Sequence, residues 1–259
     1  MKTHQLYNLD AFRQSNLLNW QRNTDFWLAA KLRHVPHVYP IAATILFREA
    51  QRVGRRLTVV DIGCGDAWVL RLLKEQRIDY KYVGLDFNES MLEHLRREHS
   101  EAGASFRHVD IELALPEDLA KTGDVVINAF NFFELADMPT AFANTTKAVA
   151  PDGGLLVFHI DPLTQLLSLV DSLDEFRAEL SAFEQYGSAL AYDKLIDLQG
   201  GEAQRMYKGI LYRFAEYHRL ARMHHLQLED FEEILHARDG RPQLYQVALW
   251  RENRGLSES

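Results

Sequence analysis

The sequence predicts a doubly wound α/β fold, and three observations carry that expectation. Short apolar or β-branched runs alternate with helical patterns from Leu57 to Ile160, and each run ends at or just before a polar turn or capping residue. The first run passes directly into Gly63-Cys64-Gly65, a turn that opens a helix. A chain of 259 residues, 47% hydrophobic and 25% charged, buries one full core around such a sheet, so a single domain over 1–259 is expected.

Residues 1–54 read as a helical lid, with Leu17, Leu18, Trp20, Phe26, Trp27 and Leu28 in one amphipathic region and Tyr39 to Val53 in another. In the core, 55–160, strands are expected over Leu57 to Asp61, Tyr80 to Asp86, Ser105 to Asp110, Asp124 to Asn128 and Gly154 to Ile160. Helices fit the gaps: Ala67 to Glu75, Glu89 to His99 behind Asn88 as N-cap, and Thr140 to Val149 with Pro139 near its first turn. The stretch 161–215 reads as a helical insertion after the fifth strand (Leu163 to Val170, Leu173 to Tyr186), with Met206 to Phe214 alternating like a strand. Residues 216–259 supply a helix from Glu216 to His225. An antiparallel ribbon follows, Phe231 to Leu235 and Gln243 to Trp250, joined through Asp239-Gly240-Arg241-Pro242. The expected sheet is therefore seven-stranded, mostly parallel, with an antiparallel C-terminal ribbon.

Charge and cysteine content narrow the function. With 37 acidic against 29 basic residues the net charge is -8, so no global positive field collects phosphates, and a nucleic-acid partner is not expected. The only cysteine, Cys64, has no disulfide partner within the chain, which fits a reducing cytoplasm, and no metal-ligand spacing includes it. The apolar run Ile41 to Phe47 falls far short of the ~20 residues that span a bilayer. A cytoplasmic monomer or homodimer acting on a small molecule, with no membrane partner and no metal, is the expectation.

The chemistry concentrates at strand ends. In Val59-Val60-Asp61-Ile62-Gly63-Cys64-Gly65-Asp66-Ala67 an apolar strand meets an acid and a Gly-x-Gly turn, where a missing Cβ allows close approach of a ligand. Asp86 ends a second strand 25 residues after Asp61, close to the ~20-residue offset of a ribose-binding acid. A third strand ends at Asp110-Ile111, a carboxylate for an exocyclic amine beside an apolar flank for its ring.

These blocks, with Asp86-Phe87-Asn88-Glu89-Ser90-Met91, Asp124 to Asp137 and the turn Pro151-Asp152-Gly153-Gly154, resemble the class I, Rossmann-like S-adenosylmethionine (SAM)-dependent methyltransferases, in their small-molecule branch. The resemblance covers about residues 55 to 160. It implies SAM as cofactor, with Asp61, Gly63, Cys64 and Gly65 at its methionine half, Asp86 at the ribose, Phe87, Met91, Asp110 and Ile111 around the adenine, and Asn128 near the methionine end. The chain departs from the family at Phe132-Phe133-Glu134, where many relatives carry a histidine.

An in-line methyl transfer needs alignment before it needs a base. If the acceptor must be deprotonated, the strand-end candidates are His159, Asp161 and Glu134. Trp27, Tyr39, Phe130, Asn131, Tyr186 and Tyr212 are candidates for the acceptor pocket, under a lid built from the N-terminal helices and the insertion. Three alternatives remain at this level, one of them a noncatalytic SAM-binding or partner protein, disfavoured because so complete a ligand site would have no purpose. SAM itself could be the substrate, its aminobutyl chain closing with release of methylthioadenosine. A NAD-binding oxidoreductase shares the supersecondary unit, but its fingerprint asks for glycine where this chain has Trp68.

Overall fold

The computed structural model describes residues 9–22, 24, 36–100, 102–132, 135–169, 172–185, 189–197, 204–238 and 241–252. Its centre is a seven-stranded sheet in the order β3-β2-β1-β4-β5-β9-β8. The strands are β1 (Leu57–Ile62), β2 (Tyr80–Asp86), β3 (Ala104–His108), β4 (Gly123–Ala129), β5 (Val149–Ile160), β8 (Leu226–Arg238) and β9 (Arg241–Glu252). The first five run parallel; β9 is antiparallel to β5 and to β8. Chain order reverses between β1 and β4, and in open α/β sheets the ligand crevice lies beyond the strand ends at that point.

Strand alternation sends successive side chains to two cores. On one face Val59, Val125, Ile127 and Phe158 pack with helices α2 (Tyr39–Val53), α3 (Trp68–Glu75) and α4 (Glu89–Glu98). On the other, Val60, Val126, Val157 and Trp250 pack with α5 (Met138–Lys147) and α8 (Phe214–Met223). Fully buried rings such as Phe142, Tyr217 and Trp250 each contribute about 1.5–3 kcal/mol of apolar burial. The expected helix boundaries hold to within two residues for α2 to α5, and side-chain caps mark two of the starts: Asn88 Oδ1 accepts from Met91 N at α4, and Asp137 Oδ1 from Thr140 N at α5.

Three departures concern the periphery. β5 begins at Val149 rather than Gly154, with a register shift against β4 between Gly123 and Val125. After α6 (Pro162–Leu169) and α7 (Leu173–Gln185), the insertion holds a strand the alternation did not reveal, β6 (Ala189–Asp197), antiparallel to β7 (Gln204–Tyr212) in a separate two-stranded sheet. Its run Ala-Tyr-Asp-Lys-Leu breaks the period of 2, which concealed the strand. Third, α1 (Leu9–Arg22) lies against β7 and α4. Among the described residues no helix is long and apolar enough to cross a membrane.

Candidate cofactor site

The site begins at the end of β1. Gly63, Gly65 and Ala67 adopt left-handed backbone conformations (φ of 65°, 50° and 55°) that turn the chain sharply into α3. Two backbone donors tie this turn to β2: Cys64 N donates to Leu85 O at 2.9 Å and Gly65 N to Asp86 Oδ2 at 3.0 Å. Asp86 Oδ1 accepts from Asn88 N at 2.9 Å, so both oxygens are engaged by backbone donors and keep acceptor capacity for a ribose hydroxyl. Burial raises the Asp86 pKa, and the donors from Asn88, Gly65 and Phe87 oppose the rise.

Behind the turn, Asp61 is only 1% exposed and accepts a 2.7 Å hydrogen bond from the Tyr82 hydroxyl. Burial lifts its pKa to about 7, the Tyr82 bond opposes, and Asp86 and Asp66 add to the rise. A carboxylate so poised ionises readily beside a cationic ligand group. The Cys64 thiol is buried and its pKa pushed up by desolvation, which leaves it unreactive.

A cavity of about 570 Å³, including its open mouth, lies beside these groups. Ile62, Gly63, Leu85, Asp86 and Phe87 form one wall; Val109, Asp110, Ile111, Glu112, Asn131 and Leu135 form another. Apolar flanks with carboxylates at the ends of β2 and β3 suit an adenosine: two hydroxyls for Asp86 and an exocyclic amine for Asp110. The cradle at Gly63 is narrower, because a β-carbon there would collide with Asn131 Nδ2, which donates to Ile62 O. The residues fit SAM, with the Asn131 side chain standing where its methionine half would approach Gly63.

Other expected site residues lie elsewhere. Met91 is 2% exposed and packs in the α2–α4 core rather than along the cavity. Asn128 is fully buried, and neither its carboxamide oxygen nor its nitrogen has a hydrogen-bond partner. His159, a candidate base, is 3% exposed, its ring centroid 4.5 Å from that of Tyr217, and desolvation lowers its pKa to about 3. Such an imidazole is a packed, neutral group. Asp161 caps α6, its Oδ1 accepting from Leu163 N at 3.1 Å and Thr164 N at 2.9 Å. Tyr212 is buried against the α5–α8 side. Glu134, Trp27 and Tyr186 lie outside the described residues.

Tyr39 and Phe130 are both partly buried against the core on the α2–α3 face. Tyr39 stacks on Trp68 with ring centroids 5.1 Å apart. Phe130, itself at a φ of 62°, meets Phe158 and Tyr245, each at 5.9 Å. Trp68, the residue at the third-glycine position, is 6% exposed and edge-on to Phe158, so bulk fills the place a pyrophosphate turn requires.

Sequence reasoning missed the fourth side of the cavity. Arg13, Asn16, Leu17 and Trp20 line it from α1, and Arg13 forms ion pairs with Asp110 and, at 3.6 Å, Glu112. Their spacing of i, i+3, i+4, i+7 marks one helix face. The N-terminal helix thus covers the cofactor cavity, where a cover over the acceptor was expected.

Comparison with known proteins agrees with this geometry. Residues 59–153 match the family model described as a methyltransferase domain. Over 112 residues the chain is 30% identical to juvenile hormone acid O-methyltransferase of Bombyx mori, covering 42% of this chain and 40% of that protein. Over 100 residues it is 28% identical to malonyl-[acyl-carrier protein] O-methyltransferase of Acetivibrio thermocellus, covering 39% and 34%. The chain thus spans well under half the length of these curated relatives. The fold is shared with Burkholderia thailandensis 1,6-didemethyltoxoflavin-N1-methyltransferase, solved with its substrate and S-adenosylhomocysteine (SAH), at a TM-score of 0.58 and 16% identity over 94% of this chain and 89% of that one. Residues 59–153 thus match a methyltransferase domain, on a Rossmann-like fold shared with a solved methyltransferase.

Proposed function

We propose that the protein transfers the methyl group of SAM to a small-molecule acceptor. The observation that carries this reading is the convergence of the Gly63–Gly65 turn, Asp86 and Asp110 on one apolar cavity at the sheet's switch point. When bound, SAM supplies an activated methyl group; the chain's task is to hold donor and acceptor in line. The acceptor side of this reading is the edge that carries Tyr39, stacked on Trp68, and Phe130, both only partly buried, which favours an apolar or aromatic acceptor body and whose ring faces attract a sulfonium charge. The net charge of -8 favours a small molecule over nucleic acid. The free, buried Cys64 fits a cytoplasmic setting.

Calorimetric titration with SAH, followed by product analysis of incubations with SAM and candidate acceptors, tests the reading. SAH as product supports it. Methylthioadenosine would show SAM consumed as substrate instead, and absence of SAH binding would remove the reading altogether.

A further inference from the structure

Helix α1 presents Arg13, Asn16, Leu17 and Trp20 to the cavity that also holds Asp86 and Asp110. It is tied to the strand ends at both of its own ends. Toward its C-terminus, Asn88 Nδ2 donates to Trp20 O at 3.1 Å and to Thr24 Oγ1 at 2.9 Å, while Asn88 N donates to Asp86. Toward its N-terminus, Arg13 reaches Asp110 and Glu112. Both anchors therefore run through the carboxylates assigned to the ribose and the base, or through the residue beside them.

Arg13 sits between two acceptors of different kinds. Asp110 borders the cavity with its side chain 21% exposed. The Glu112 side chain is 7% exposed and fixed in place by Asp137 N, which donates to its Oε1 at 2.6 Å. An adenine amine entering the cavity needs the Asp110 carboxylate that Arg13 now holds, and a partly buried guanidinium stripped of its partner is costly. Glu112, with its other oxygen facing Arg13, removes that conflict.

We propose that α1 is the roof of the cofactor site and that Arg13 is its latch, shifting from Asp110 to Glu112 as the adenine amine takes Asp110, so that α1 stays closed over the bound nucleoside. Arg13 and Glu112 are positioning residues: they control entry and exit of the cofactor, and α1 must swing away for exchange. This inference rests on the SAM-binding reading above.

Stopped-flow binding of SAH to the full chain tests it, with R13M and E112Q as variants. A released roof opens more often, so R13M raises the association and dissociation rate constants together by about tenfold, the effect of losing one charge-assisted bond. E112Q, which leaves Asp110 intact and removes only the second acceptor, raises dissociation more than association. It also provides the reading should R13M fail to fold. Unchanged rate constants in E112Q and in any folded R13M, with SAH still bound, overturn the latch while leaving the SAM reading intact. Failure of the wild-type chain to bind SAH overturns both.

Discussion

The Tyr82 hydroxyl donates a 2.7 Å hydrogen bond to Asp61 Oδ2 directly behind the glycine turn, and the two side chains share a pocket from which water is excluded. Tyr82 has no exposed surface and its own pKa is driven up by burial and by the Asp61 charge. The pair holds the end of β1 against β2 and keeps a protonatable group where the positive end of a methionyl ligand is expected.

This arrangement makes stability depend on pH in a definite direction. Burial holds the proton on the folded Asp61 up to about 7, against an ordinary value of 3.8. Between these values the native state holds a proton that the unfolded chain has lost, so stability falls as pH rises from about 4 to about 7, by up to about 4 kcal/mol. D61N, neutral throughout, should melt above the wild type at pH 8 and level with it at pH 4. Parallel melting curves for the two proteins across that range would rule this out.

Gly63 allows no side chain. Its φ of 65° disfavours any β-carbon, and the space that carbon needs is taken by the Asn131 amide. G63A should lose about 2–4 kcal/mol from left-handed strain and overpacking together. N131A in the same chain should recover part of the packing loss and none of the backbone strain. Urea midpoints of the single and double variants separate the two contributions.

Asp86 is expected to hold the ribose while it anchors Gly65 N and Asn88 N. D86A should weaken SAH binding by about 1.5–3 kcal/mol, the range for a hydrogen bond to a charged group. D86N, which keeps one acceptor oxygen for a backbone donor, should lose less. Calorimetry on both variants reads this, and full affinity in a folded D86A would remove the ribose assignment.

Glu49 lies far from the cavity and is fully buried between Arg52, at 2.8 Å, and Arg251, joining α2 to β9. Truncation leaves a partly buried guanidinium without this partner, so E49A should cost about 3 kcal/mol. Its affinity for SAH should stay at the wild-type level. A denaturant titration and a binding isotherm on the same preparation check the two halves of this expectation.

Much of the cofactor site is legible in the residues, because it is built from short local units. At β1 an apolar run, an acid and two glycines lie within about ten residues, and at β2 an apolar run, the acid Asp86 and the Asn88 cap do the same. Asp61 and Asp86 lie at strand ends as the spacing predicts, while Asp110 lies two residues beyond β3, which ends at His108. His159 shows the opposite case: its position near the end of β5 is readable, but its value as a base depends on Tyr217, which lies 58 residues later and withdraws it from water.

The sequence by itself determined the sheet's parallel core and the acids and glycines at its ligand edge, since alternation and capping act between neighbours in the chain. It also determined that Arg13, Asn16, Leu17 and Trp20 share one helical face, but not what that face covers. Only the tertiary structure decided that α1 roofs the cofactor cavity, through an ion pair of Arg13 with a residue 97 positions away. It likewise decided that Asn131, 69 positions from Ile62, fills the cradle above Gly63. Contacts at such separations depend on how strand ends and helices pack in space, and hydrophobic periodicity records only that a face is buried, not which surface buries it.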